Sequence, residues 1–118
     1  MARMHPPKPK KTFLVPVYGG RVYLYLDGKS ARKALEALFI EPHFDDDDAI
    51  GWCLPGIQLS GGAIYVVAWL DGLTSTLVHE LGHAAFYILG RAGIDARDSS
   101  GEAFCYLQAE LLNRCGVR

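Results

Sequence analysis

The sequence predicts an α+β domain, with a small antiparallel-rich sheet packed against helices. Three observations carry this reading. Two pairs of β-branched and aromatic runs are each joined across a Gly-Gly dipeptide. A strong amphipathic helical pattern follows the second pair. A further helical pattern closes the chain. The order β-β-α-β-β-α-α separates strand pairs from helices, which is the signature of this class.

The first pair is Thr12 to Val17 (TFLVPV) and Arg21 to Leu26 (RVYLYL). Gly19-Gly20 between them permits the positive φ angles of a tight turn, so a hairpin follows. Pro16 belongs at an edge or a bulge, because it offers no ladder donor. Asp27-Gly28 breaks the second strand. Ser30 is placed to cap a helix reaching Leu38, with Ala31, Ala34, Leu35 and Leu38 on one face. Pro42 ends it. Glu41 to Gly56 reads as a long loop holding His43 and the run Asp45-Asp46-Asp47-Asp48. Four adjacent carboxylates repel one another and call for water or a cation. Solvation is the simpler reading, since the run lacks the alternating spacing of a calcium loop.

Ile57 to Ser60, Gly61-Gly62 and Ala63 to Leu70 predict the second hairpin. AIYVVAWL is almost continuously apolar, so its strand should be central and covered by helices. Leu73 to Leu89 predicts the strongest helix, with Leu77, Leu81, Ala84, Ala85 and Ile88 as its inward stripe and Gly90 as its terminator. Ala92 to Ser99 reads as a loop. Glu102 to Arg114 predicts the last helix, with Ala103, Phe104, Leu107, Leu111 and Leu112 inward.

At 118 residues the chain fits one domain. Residues 1–11 combine Arg3, Lys8, Lys10 and Lys11 with three prolines and read as a flexible basic tail. Residues 12–118 form the domain. A net charge of −1 provides no global basic field, so nucleic acid is not an expected partner. No run approaches the roughly 18 apolar residues of a membrane span. The three cysteines, Cys53, Cys105 and Cys115, are an odd count without a CxxC pair. With no signal-like segment, the chain reads as soluble and cytoplasmic, its cysteines small core residues. Gly28-Lys29-Ser30 imitates the end of a phosphate loop, but Tyr23 stands where that loop needs glycine.

The chemistry concentrates in His79-Glu80-Leu81-Gly82-His83. Helical residues advance about 100° each, so positions four apart share a face. Two imidazoles one turn apart make a two-point clamp for a metal about 2.0 Å from each nitrogen. Glu80 is placed to reach a water beside that metal and serve as general base. Chance supplies this triplet in roughly a few per thousand chains of this length, and here it falls inside a strong helix. The plainer alternative is a pair of core histidines. A catalytic zinc also wants a third protein ligand. Asp95, Asp98, Glu102, Cys105 and Glu110 are candidates, and Glu102, opening the last helix, is the choice. Ser99-Ser100-Gly101-Glu102 fits a capping box equally in form.

HELGH followed by Gly101-Glu102-Ala103-Phe104-Cys105-Tyr106-Leu107 resembles the glutamate-zincin (gluzincin) arrangement. It is also similar to small phage- and prophage-encoded zincin-like proteins and to the minimal ImmA/IrrE-type peptidases. The resemblance covers residues 57–113 best. It implies a zincin-like minimal domain and a zinc peptidase acting on a peptide or protein substrate. It implies zinc ligands at His79, His83 and Glu102, with Glu80 as catalytic base. Tyr106, four residues after Glu102, is a candidate oxyanion donor, the alternative being a core tyrosine. The large gluzincins carry a second helical domain that has no counterpart here. A catalytically silent zinc-stabilised binding module of phage or mobile-element origin is therefore the competing reading, and a metal-free structural protein is the third.

Overall fold

The computed structural model describes residues 5–38, 50–57 and 62–116. Its elements are β1 (Lys11–Leu14), β2 (Arg21–Tyr25), α1 (Gly28–Ala37), β3 (Gly51–Ile57), β4 (Ala63–Trp69), α2 (Thr74–Arg91) and α3 (Asp98–Arg114). The strands form one sheet in the order β1-β2-β4-β3. β1 pairs antiparallel with β2, and β3 with β4. The two hairpins meet along a parallel seam between β2 and β4, with Arg21 opposite Ile64 and Tyr25 opposite Ala68. This is the α+β class expected, mostly antiparallel.

Alternation along each strand divides the core into two layers. Val22, Leu24, Cys53, Tyr65 and Val67 face α2 and α3, meeting Leu77, Leu81, Ala84, Ala85, Ile88, Leu107 and Leu111. Tyr25, Trp52, Ile64, Val66 and Ala68 face α1, meeting Ala31, Ala34 and Leu35. β4 is central, and Ala63 to Ala68 are all buried because helices cover both its faces. The full inward stripe expected of α2 is buried. Among the described residues, no helix is long and apolar enough to cross a membrane.

Several boundaries differ from expectation. β1 stops at Leu14, and Pro16 to Tyr18 form a turn in which Val17 adopts φ 68°. Gly19 and Gly20 take the expected positive φ, 78° and 92°. Asp27, not Ser30, caps α1: its Oδ1 accepts the Ser30 backbone N–H at 2.7 Å. The helix ends at Ala37, and Pro42 lies outside the described residues, as do His43 and Asp45 to Asp48. Residues 51–56, expected inside a loop, form a strand with Ile57, where the strand was expected to begin; 58–60 lie outside the described residues. Its glycines and Pro55 disguised it, yet an edge strand tolerates proline where the missing N–H would face outward.

The hydrogen-bond phase bears this out. Leu70 N–H donates to the Ile50 carbonyl at 3.0 Å, just beyond the Gly51–Trp69 pair. Bonded pairs alternate in an antiparallel ladder. Hence Gly51, Cys53 and Pro55 turn their backbone polar groups away from β4. The segment read as a loose tail meets the sheet at two points. Lys10 N–H donates to the Leu24 carbonyl at 2.8 Å, and the buried Tyr25 hydroxyl donates to the Pro7 carbonyl at 2.8 Å.

Candidate metal centre

The helix that carries the motif is started by Asp71. Leu73 occupies the cap position and has no side-chain cap of its own. Asp71 Oδ1 accepts the Leu73 N–H at 3.0 Å, and Oδ2 accepts the Thr76 hydroxyl at 2.6 Å. The Thr76 hydrogen bond, followed by the Leu73 bond, holds the Asp71 carboxyl below its ordinary range. Trp69 Nε1 donates to the Leu73 carbonyl at 2.8 Å, so strand and helix are joined firmly at the turn.

From that start, α2 turns Leu77, Leu81, Ala84 and Ile88 to the sheet and leaves His79, His83 and Phe86 exposed. The core-histidine alternative does not hold, because both imidazoles stand on the outer face. Their Nε2 atoms converge to 3.2 Å, with ring planes at 78°. Two nitrogens bound tetrahedrally to one zinc at about 2.05 Å stand about 3.3 Å apart. The separation therefore suits a shared metal. Without a metal, the same contact serves as an N–H to N hydrogen bond, given one suitable tautomer.

Glu80 lies on the flank of α2 that faces β3. It is 6 % exposed, and its carboxylate joins both imidazoles in a group whose ligand atoms all lie within 4.8 Å of one another. β3 presses against it through Gly51. A β-carbon at Gly51 would stand 2.8 Å from Thr76 Cγ2, 3.0 Å from the Ala68 carbonyl oxygen and 3.2 Å from Glu80 Cγ. Burial raises the Glu80 pKa, and the two histidines offset this in part. A raised carboxylate pKa strengthens proton acceptance, as a general base requires. Behind Glu80, burial pushes up the Cys53 thiol, with the Glu80 charge adding to it.

α3 runs alongside α2. Gln108 Nε2 donates to the Val78 carbonyl at 3.0 Å. A β-carbon at Gly82 would meet Gln108 Nε2 at 3.1 Å and Phe104 Cζ at 3.8 Å. These contacts set Phe104 beside Gly82 and Gln108 beside the turn preceding His79. Glu102, two residues before Phe104, follows three left-handed residues, Ser99, Ser100 and Gly101 (φ 54°, 60° and 79°). Its carboxylate is exposed and is not in the His79–Glu80–His83 group. Nor does it make the capping-box bond to Ser99; no hydrogen bond of the Glu102 side chain occurs among the described residues. Tyr106 is 74 % exposed, which removes the core-tyrosine alternative. Of the cysteines only Cys53 is buried; Cys105 is exposed and Cys115 intermediate, against the expectation of core residues.

Compared with protein-family models, curated proteins and solved structures, the chain matches none. The site rests on its own geometry. The structure brings together His79, Glu80 and His83, a cluster able to hold a metal, and leaves Glu102 and Tyr106 outside it. Sequence reasoning missed Gly51, Gly82 and Gln108. The glycine inside HELGH was the available signal, since an unbranched gap in a helix face invites a neighbouring chain.

Proposed function

We propose that the protein is a zinc-dependent peptidase. The convergence of His79 Nε2 and His83 Nε2 beside the buried Glu80 carboxylate carries the reading. The imidazoles would hold the ion, and Glu102, a carboxylate near the start of α3, is the third ligand proposed. Zinc held there supplies a Lewis acid that acidifies a water and polarises a carbonyl.

The chain's own groups do the rest. Glu80 accepts the proton of the attacking water at its carboxylate and passes it to the leaving amine. Its burial raises its proton affinity and so favours the uptake. The exposed Tyr106 hydroxyl, one turn beyond Glu102, is the candidate donor for the developing oxyanion. The outward backbone groups of Gly51 and Cys53 lie on the Glu80 side of α2 and suit an extended peptide paired strand to strand.

The test is metal content and turnover on the untagged full chain. About one zinc per chain, lost in His83→Ala, is expected. Hydrolysis of a peptide library should fall at least about 100-fold in Glu80→Gln with zinc retained. Zinc binding without hydrolysis of any library member would identify a silent binding module instead.

A further inference from the structure

The outer face of α2 continues past the histidines to Phe86. Residues 79, 83 and 86 are spaced so that they form one stripe. Phe86 is 57 % exposed. It does not stand alone. Phe104 of α3 meets it with ring centroids 5.0 Å apart and planes inclined at 56°. Phe104 is itself half-buried against the core, and its ring reaches the backbone of Gly82. One phenylalanine thus stands a turn beyond His83, and the other stands beside the residue preceding it. Together they make an aromatic wall on the α3 side of the histidine pair. Glu80 and β3 occupy the opposite side.

We propose that Phe86, backed by Phe104, is a specificity residue. It receives an aromatic or bulky aliphatic side chain of the peptide whose bond is attacked. This rests on the peptidase reading and deepens it, by naming the substrate class. Three features favour a substrate side chain as the occupant. Phe86 shares the outer stripe of α2 with both imidazoles, it leaves more than half of its surface open, and Phe104 holds it from behind.

The test uses zinc-loaded full-length protein and two probes, glycine hydroxamate and phenylalanine hydroxamate, which differ by one benzyl group. Binding is read by calorimetry. The wild type should prefer the phenylalanine probe by about tenfold or more. In Phe86→Ala the ratio of the two affinities should collapse towards one, and Phe86→Leu should keep part of it. Equal binding of both probes by the wild type, or a preference that survives in Phe86→Ala, overturns the assignment and leaves the peptidase reading standing. Failure of both probes to bind zinc-loaded protein overturns the peptidase reading and this assignment with it. Sedimentation gives the remaining arm: a wild-type dimer that Phe86→Ala converts to monomer makes the wall an interface between copies.

Discussion

Gln108 on α3 donates through Nε2 to the carbonyl of Val78, the residue immediately before His79. This bond crosses from one helix to the other where the histidine turn begins, and it fits only because position 82 has no side chain. Gln108→Met removes the bond and should cost about 1 kcal/mol in urea denaturation. Gly82→Ala gains about 1 kcal/mol of helix propensity but displaces the Gln108 amide. Its net effect should lie near zero. Combined with Gln108→Met, the alanine should become stabilising relative to Gln108→Met alone, and a double-mutant cycle measures that coupling.

Zinc should stabilise the fold, because the two imidazoles converge only when α2 is formed. At zinc one hundredfold above its dissociation constant, the gain is about 2.7 kcal/mol. Thermal melts with and without chelator should separate by several degrees in the wild type and coincide in His83→Ala. Coincident wild-type curves would show that the imidazole pair takes no metal.

Glu80 gives a pH signature in metal-free protein. Its pKa is raised above 4.5, chiefly by burial. The folded state thus favours the neutral carboxyl. The contribution to stability is fully present below the ordinary value of 4.5 and is lost as pH rises through the higher folded value. Glu80→Gln, which cannot ionise, should melt higher than the wild type at pH 7 and lose that advantage near pH 4. Under the peptidase reading proposed above, this is the stability cost of holding a base in the core.

Tyr25 titrates late. Burial, reinforced by Tyr23, pushes its phenol up to about 12. Stability from the neutral phenol is present below the ordinary value of 10 and drains away as pH climbs towards 12. Absorbance titration should resolve one tyrosine ionising about two units late. Tyr25→Phe should abolish that step, remove the donor to Pro7 and increase proteolysis of the segment before β1.

The fold was legible in the sequence wherever pattern and burial agree. AIYVVAWL announced the central strand, and the Leu77 to Ile88 stripe announced α2, because a buried face leaves a periodic trace. The pairing of a strand with β4 was legible, but residues 51–56 of β3 were hidden because an edge strand needs little hydrophobic pattern, and Gly51 and Pro55 resemble turn residues. The parallel seam was hidden because pairing between distant strands leaves no local mark. At the site, the motif spacing located both imidazoles and the carboxylate, since a helix converts spacing into geometry. It could not locate what α3 brings, because Gln108 and Phe104 reach α2 through tertiary packing.

That seam has a consequence for how the molecule forms. Arg21 and Ile64 are 64 − 21 = 43 positions apart, whereas each hairpin closes over a short connection. Local pairs form in microseconds, while non-local pairing must first bear the entropy of closing a long loop. The two hairpins should therefore assemble early and independently, and their joining should be the slow event. Mutations at Val22 or Val66, in the seam, should slow refolding more than they speed unfolding. Changes on the outward faces of the sheet should do the reverse.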